Sequence, residues 1–230
     1  MRVALIRHGS TAGNLLHRYV GARTDEPLTP RAERGLKAAS GSLTERIGAP
    51  DLLVTSGMLR CRQTAAALFP GAAQTHDARL REMDFGRFEN QSYRELEHDA
   101  LYRAWVDGGC EAPVPDGEDP AAFRARVRAA VAELVARAAG EGTSLLALVV
   151  HGGAIRAALS GDGGRPGPAG AAGPGFFDIP APSACCWIAD AVPDAGPQPG
   201  AALTLTRPRM IAYPYDAPAV PLGAGEEARP

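Results

Sequence analysis

The sequence predicts an α/β protein, a three-layer α/β/α sandwich around a mostly parallel central sheet. Short apolar segments alternate along the chain with longer amphipathic ones, which is the order of strands and helices in such a sheet. Several apolar segments end abruptly in histidine, serine or glycine, as strands do when their carboxyl ends face a ligand. With 230 residues, of which 45% are hydrophobic and 22% charged, the chain can build a substantial buried core.

The first apolar segment begins at Val3 and breaks off at Arg7-His8-Gly9. An aliphatic run without turn residues is typical of a buried parallel strand. Residues 11–28 contain glycine and proline at irregular intervals, so we predict no regular element there.

The next elements are predicted from cap signals and apolar periodicity. Thr29 followed by Pro30 is a good helix start, and the helix is expected to run to residue 47. A second strand is predicted over 51–56 and a second helix over 58–68.

Residues 77–119 mix aromatic and charged side chains, and we interpret them as a lid or substrate-facing excursion. Asp119 then caps a helix predicted to extend to residue 139. The most apolar strand, 145–150, ends in His151-Gly152, and a helix is predicted over 154–159.

The C-terminal third is predicted to be less regular. Residues 161–175 are almost wholly Gly, Pro and Ala and are read as a flexible surface loop. Residues 184–189 and 201–206 are expected to form an antiparallel strand pair, and 216–230 a loose tail. The sequence thus predicts a single domain over 1–215.

Three predicted strands end in groups that one crevice could collect: Arg7-His8, Ser56 shortly before Arg60, and His151-Gly152. These residue types suit phosphoryl transfer, in which a neutral imidazole attacks phosphorus while cationic donors hold the nonbridging oxygens. Nearby positive charge also lowers the pKa of an imidazole. Gly152, between a strand end and a helix, would let phosphate approach backbone N–H groups.

A leaving alkoxide needs a proton, and Glu82 is the candidate donor in the segment Leu80–Gly86. A phosphate monoester bound beside this carboxyl would raise its pKa into the useful range. Asp84 is the competing donor.

In this order, the motifs resemble the histidine phosphatase superfamily, which includes the cofactor-dependent phosphoglycerate mutases. The resemblance covers roughly residues 2–160 and rests on Arg7-His8-Gly9-Ser10-Thr11 with Asn14, Ser56-x-x-x-Arg60-x-x-x-Thr64-Ala65, Glu82 before Phe85-Gly86, Gly117-Glu118, and His151-Gly152-Gly153-Ala154-Ile155-Arg156.

The resemblance implies a phosphoglycerate mutase-like fold and a role for each matching residue. His8 becomes the phosphohistidine, and Glu82 is the general acid and later the base. The phosphoryl group is bound by Arg7, Arg60 and His151, and the substrate side of the pocket is lined by Ser10 and Asn14.

Residues 18–21 and 24–30 are similar to small phosphatases of cobalamin assembly that act on α-ribazole phosphate. The chain departs from the family in an extra Ala22, in lacking the tryptophan that mutases carry shortly before Asp25, and in Glu89-Asn90 where Glu-Gly is common. We expect a phosphomonoester hydrolase for a small phosphorylated metabolite, with α-ribazole 5′-phosphate as one candidate. Mutase-type phosphoryl transfer and a non-catalytic phosphate-binding or scaffolding protein are the alternatives.

The net charge and the hydrophobicity of the chain argue against two other classes of protein, those that bind nucleic acid and those that bind membranes. A net charge of −2 argues against a nucleic-acid partner, and no apolar window is long enough for a membrane partner. We expect a cytoplasmic protein with four reduced structural cysteines, no cofactor and no metal site, and a homodimer is left open. Arg124, Arg126 and Arg128 are expected on a solvated helix face, and Tyr102 and Trp105 either in the core or against a ligand.

Overall fold

The computed structural model of the protein describes residues 1–160, 174–193, 203–213 and 215. Most of the predicted loop at 161–175 and the whole predicted tail at 216–230 lie outside the described residues.

The described residues form a six-stranded sheet in the order β3-β2-β4-β1-β5-β6. The strands are β1 (Arg2–Arg7), β2 (Leu52–Thr55), β3 (Gln74–His76), β4 (Leu145–Val150), β5 (Cys186–Pro193) and β6 (Leu203–Ile211). The first four are parallel to one another, whereas β5 is antiparallel to β1 and β6 to β5. The predicted mostly parallel sheet is confirmed.

Helices cover both faces of this sheet. They are α1 (Ala12–Leu15), α2 (Pro30–Ile47), α3 (Leu59–Leu68), α4 (Tyr93–Leu96), α5 (Ala100–Asp107), α6 (Pro120–Gly140) and α7 (Gly152–Leu159). Thr29 caps α2 by accepting from the backbone N–H of Ala32 at 3.1 Å, as the sequence predicts.

The central strands are buried on both sides, and successive side chains enter two different cores. Leu146 and Leu148 of β4 pack in one core with α5, α6 and α7, whereas Ala147 and Val149 pack in the other with α2 and α3. This alternation follows from the period of two in a strand. It builds the three layers that the sequence predicts.

Several elements differ from the sequence expectation. The segment 11–28 contains the short helix α1, and the strand β3 is unpredicted because its residues lack apolar side chains. The excursion at 77–119 contains α4 and α5, and Asp99 caps α5 through the N–H groups of Leu101 and Tyr102. The helix α7 begins at Gly152, two residues earlier than predicted.

The predicted solvated arginine face is wrong. Arg126 is paired with Glu118 at 2.7 Å, and it donates to the carbonyl of Arg79 at 2.6 Å. Arg128 donates to the carbonyl of Ala157 at 2.9 Å. These long side chains tie α6 to neighbouring segments because their planar heads reach backbone acceptors.

The four cysteines all lie in described residues and are free thiols, as expected. Within the described part of the chain, none of the helices has the length and apolar character that a bilayer crossing requires.

We predict that Leu148→Ala lowers the free energy of unfolding by about 2–5 kcal/mol, because Leu148 is fully buried in the central strand. Leu101→Ala is the control: this side chain is 50% exposed on α5, and its loss is expected to change stability by less than about 0.5 kcal/mol. Urea unfolding of both variants measures the difference, and equal losses would contradict the assignment of the core.

Candidate active site

The site lies at the carboxyl ends of three adjacent parallel strands. Arg7 at the end of β1 is in register with Val150 at the end of β4, and Thr55 at the end of β2 is in register with Val149. The residues that follow these strands therefore meet at one edge of the sheet. They include His8, Ser56 and His151.

A cavity of about 280 Å³ opens beyond this edge. Among the predicted site residues, those that line it are Arg7, His8, Asn14, Glu82 and Gly152. Arg60 and His151 are fully buried and contact His8, but they do not line the cavity themselves. Ser10 is also buried and does not belong to the lining.

The hydrogen bonds of His8 assign its tautomer. Nδ1 lies 2.7 Å from the carbonyl oxygen of Gly9, which can only accept, so Nδ1 carries the proton. The lone pair is therefore on Nε2. This nitrogen lies 3.3 Å from Nε of Arg60. His8 thus carries an unprotonated, nucleophilic nitrogen.

Burial and nearby cations keep both site histidines neutral. Burial lowers the pKa of His8 well below its ordinary value of 6.5, and the charges of Arg60 and Arg7 lower it further. Burial likewise lowers the pKa of His151, and Arg60 is the largest charge contribution.

Arg60 is the buried cation between the two imidazoles. Its Nε faces Nε2 of His8 and Nδ1 of His151, at 3.3 Å from each. Its terminal nitrogens donate to loop carbonyls, at 2.7 Å to Thr24 and 3.1 Å to Gly21. The terminal nitrogens of Arg60, which the sequence assigns to phosphate binding, are therefore largely bonded to backbone carbonyls. The Nε of Arg60 is the donor directed at the site.

His151 is fixed on its other side by Ser56. Because Nδ1 accepts from Arg60, Nε2 carries the proton and donates to the Ser56 hydroxyl at 2.8 Å. The Cys61 thiol lies 3.5 Å from the same nitrogen. Burial raises the pKa of Cys61 to about 12, so it stays a neutral packing group.

Arg7 presents an unsatisfied donor. One terminal nitrogen donates to the carbonyl of Ala181, but the buried Nε has no hydrogen-bond partner. The buried Nε of Arg18 is also without a partner, and these are the two such side-chain atoms in the described residues. Both arginines line the cavity. A ligand with acceptor oxygens bound in this cavity would lie beside two guanidinium groups that each retain a donor.

Glu82 is held against the start of α7. Its Oε2 accepts from the N–H of Gly153 at 2.9 Å, and its Oε1 accepts from the N–H of Met83 at 3.0 Å. A methyl group on Gly153 would overlap Oε1, so glycine is required for this approach. The competing donor Asp84 instead pairs with Arg23 at 2.8 Å and lies outside the lining.

The remaining predicted residues have distinct positions. Gly152 packs against the guanidinium of Arg7, since a methyl group there would lie 3.5 Å from its central carbon. Asn14 lines the cavity, and its side-chain oxygen accepts from the N–H of Thr11 at 3.1 Å. Ser10 contacts Tyr215 through its backbone, with its N–H 3.5 Å from the tyrosine oxygen.

Geometry of this kind characterises a known family. The family model of the histidine phosphatase superfamily (branch 1) matches residues 3–169. The chain belongs to this superfamily. Its members include phosphatases and mutases, and the two kinds both occur among the relatives of this chain.

Two curated relatives and one solved structure illustrate the match. The chain is 33% identical over 169 residues to probable phosphoglycerate mutase GpmB of Klebsiella pneumoniae, covering 70% of this chain and 74% of that protein. It is 33% identical over 165 residues to broad-specificity phosphatase YOR283W of Saccharomyces cerevisiae, covering 69% of each. The α-ribazole phosphatase of Shigella flexneri superposes with a TM-score of 0.67 at 26% identity, covering 83% of this chain and 90% of that one.

Sequence reasoning missed the residues that hold the loop over the histidine phosphatase site. The carboxylate of Glu89 accepts from the N–H of Gly21 at 3.0 Å and from the Thr24 hydroxyl at 2.7 Å. Asp25 accepts from the N–H of Leu59 at the start of α3, at 2.7 Å. No periodicity links such distant positions, so only the fold reveals them.

Sequence reasoning also missed much of the cavity wall. Residues outside its motifs also line the cavity, among them Arg124, Phe176 and Phe177. Among the residues that the structure describes, we find no group of three or more His, Cys, Asp or Glu that could hold a metal ion.

We predict that His8 and His151 are both mainly neutral at pH 6.5, where an ordinary histidine is half protonated. The lowered pKa values require this, since the charged form appears only as the pH falls through the folded-state pKa. Ring ¹⁵N NMR measures it, with signals assigned from His8→Ala and His151→Ala. An imidazolium signal for either residue at pH 6.5, or an Nε2–H tautomer for His8, would refute the assignment.

Proposed function

We propose that the protein is a phosphomonoester hydrolase that acts through a phosphohistidine intermediate on a small phosphorylated metabolite. The observation that carries the proposal is the hydrogen bond from Nδ1 of His8 to the Gly9 carbonyl. It leaves Nε2 unprotonated in a cavity that also contains the orphaned donor of Arg7 and the carboxyl of Glu82. These are a nucleophile, an anion clamp and a proton donor in one place.

In the first step, Nε2 of His8 attacks phosphorus, and the bond between phosphorus and the ester oxygen breaks. Glu82 in its protonated form gives its proton to the departing oxygen, which leaves as an alcohol. Arg7, with the N–H of Gly152 at the start of α7, lies where charge on the phosphoryl oxygens needs stabilisation.

In the second step, water attacks the phosphohistidine, and the nitrogen–phosphorus bond breaks. The Glu82 carboxylate takes a proton from this water, which restores the acid form, and inorganic phosphate leaves. The resulting Nε2 lone pair is the starting state of His8, so the cycle closes without a further reactant.

The likeness to α-ribazole phosphatase of Shigella flexneri supports α-ribazole 5′-phosphate as one candidate substrate, and thus a role in cobalamin assembly. A cytoplasmic location and a homodimer stay predictions.

Mutase chemistry is the second candidate, because the Klebsiella relative is named a probable phosphoglycerate mutase. A mutase would return the phosphoryl group to another hydroxyl of the substrate instead of giving it to water. Incubation with 3-phosphoglycerate, with and without a bisphosphate primer, distinguishes them. We expect inorganic phosphate from a hydrolase, whereas primer-dependent 2-phosphoglycerate would favour the mutase.

We predict that His8→Ala lowers hydrolysis of p-nitrophenyl phosphate by at least about 10³-fold, because it removes the nucleophile. Acid-labile label from a ³²P-phosphomonoester should be trapped on the wild type and not on the variant. His98→Ala is the matched control, since that ring is exposed and lies outside the cavity. Wild-type turnover by His8→Ala would refute the mechanism, and an unlabelled wild type would favour a non-catalytic phosphate-binding protein.

We predict that Glu82→Gln lowers hydrolysis of alkyl phosphates by about 10²–10⁴-fold but affects p-nitrophenyl phosphate much less. The nitrophenolate ion can leave without being protonated, whereas an alkoxide must receive a proton as it leaves. The measurement is kcat/KM for both esters in each variant.

Three further variants sharpen this comparison. Gly153→Ala should produce a weaker version of the same selective loss because it displaces Glu82, and Gly41→Ala is its control, since a methyl group there meets nothing within 4 Å. Asp84→Asn should leave the ratio of the two esters unchanged. Selective loss in Asp84→Asn but not in Glu82→Gln would reassign the acid.

A further inference from the structure

The cavity has two chemically different halves. The inner half contains the charged and backbone groups around His8, Arg7 and Glu82. The rest of the lining, which we call the outer half, contains the aromatic rings of Tyr19, Phe85, Trp105, Phe176 and Phe177, and the ring of Phe123 lies beside Gly153 and Glu82. A phosphoryl group in contact with Nε2 of His8 would fill the inner half, which leaves the outer half for the alcohol part of the ester.

The polar tips of the aromatic wall are already used within the protein. The hydroxyl of Tyr19 lies 2.9 Å from that of Tyr102, and Nε1 of Trp105 donates to the carbonyl of Ala112 at 3.0 Å. These residues therefore offer ring surface, not hydrogen bonds, to a ligand.

Two arginines of the lining, Arg124 and Arg156, are similarly engaged, whereas Arg18 retains the partnerless Nε described above. Arg124 donates to Glu111 through both terminal nitrogens, at 2.6 and 3.2 Å. Its guanidinium carbon lies 5.8 Å from the ring centroid of Phe176. Arg156 donates through Nε to the carbonyl of Ile179 at 3.1 Å. Guanidinium groups held in this way present flat faces that stack on aromatic rings.

Phe176 and Phe177 form the rim of this half. Their rings are 5.0 Å apart and nearly perpendicular, in a short 3₁₀ turn. Phe177 is 56% exposed, whereas Phe123 deeper in the same cavity is buried. An exposed aromatic side chain at the mouth of a catalytic cavity supplies apolar area that a bound ligand can cover.

Hydroxyl groups alone would gain little from the aromatic part of this wall, because ring surface cannot replace the hydrogen bonds that they lose with water. We propose that the outer half binds an aromatic group, so that the preferred substrates are phosphomonoesters of alcohols that carry an aromatic ring. This inference rests on the proposed phosphomonoesterase and names its substrate class.

Binding of phosphonates tests the inference separately from turnover, because their carbon–phosphorus bond is not hydrolysed. The probes are 3-phenylpropylphosphonate, 3-cyclohexylpropylphosphonate and 3,4-dihydroxybutylphosphonate, titrated calorimetrically into the wild type, Phe177→Ala and Phe177→Tyr. Leu101→Ala is the control, since this exposed leucine on α5 is outside the cavity.

We expect the phenyl compound to bind at least about tenfold more tightly than the dihydroxybutyl compound and about threefold more tightly than the cyclohexyl one. Phe177→Ala should weaken binding of the phenyl compound by about three- to tenfold and shrink both ratios, whereas Phe177→Tyr and Leu101→Ala should keep them.

Three outcomes would overturn the inference and leave the proposed hydrolase intact. They are equal binding of all three compounds, tighter binding of the dihydroxybutyl compound, and binding of the cyclohexyl compound that is as tight as that of the phenyl compound. Equal effects of Phe177→Ala on all three would do the same. Failure to bind any of the phosphonates would overturn the phosphate site itself. Failure of the His8→Ala kinetics, with the binding order preserved, would overturn only the catalytic proposal.

Discussion

The site depends on one buried cation, Arg60, placed between two neutral imidazoles. A buried charge is costly unless hydrogen bonds satisfy it, and here the carbonyls of Gly21 and Thr24 accept from its terminal nitrogens. The carboxylate of Glu89 holds the same loop in place through the N–H of Gly21 and the hydroxyl of Thr24. The loop thus stabilises the cation, and the cation adds to the effect of burial in lowering the pKa values of His8 and His151. Folding of the loop and readiness of the nucleophile are therefore coupled.

The sheet supplies the other constraint. Register between β1 and β4 places the residues after Arg7 and Val150 side by side, which is why two histidines far apart in sequence have ring centroids 5.1 Å apart. The start of α7 at Gly152 brings the N–H of Gly153 to the Glu82 carboxylate. A rigid parallel sheet thus positions the proposed nucleophile, while a helix start orients the proposed acid. The excursion at 77–119 contributes both the carboxyl of Glu82 and the rings of Phe85 and Trp105 to the cavity, so one segment serves the proposed chemistry and the proposed choice of alcohol.

Local patterns predicted the elements that carry strong periodicity or caps. The strands β1 and β4 are uninterrupted apolar runs, and Thr29-Pro30 and Asp119-Pro120 mark true helix starts. Local patterns did not predict β3, which exposes polar side chains at a sheet edge. They also did not predict α5, whose aromatic residues were interpreted as part of an excursion. The motifs also identified residues that the structure gathers at one edge, yet they could not show that the terminal nitrogens of Arg60 bind a loop. That outcome depends on contacts across nearly forty residues, and no local propensity encodes it.

The most direct test of the central claim is the stereochemical course at phosphorus. A phosphate monoester made chiral with oxygen isotopes and thiophosphate substitution is hydrolysed in isotopically labelled water, and the configuration of the product is determined by ³¹P NMR. Two successive in-line displacements, the first by Nε2 of His8 and the second by water, predict net retention of configuration. Inversion would mean that water attacks the ester directly, and would contradict the account of His8 as the group that takes up the phosphoryl group.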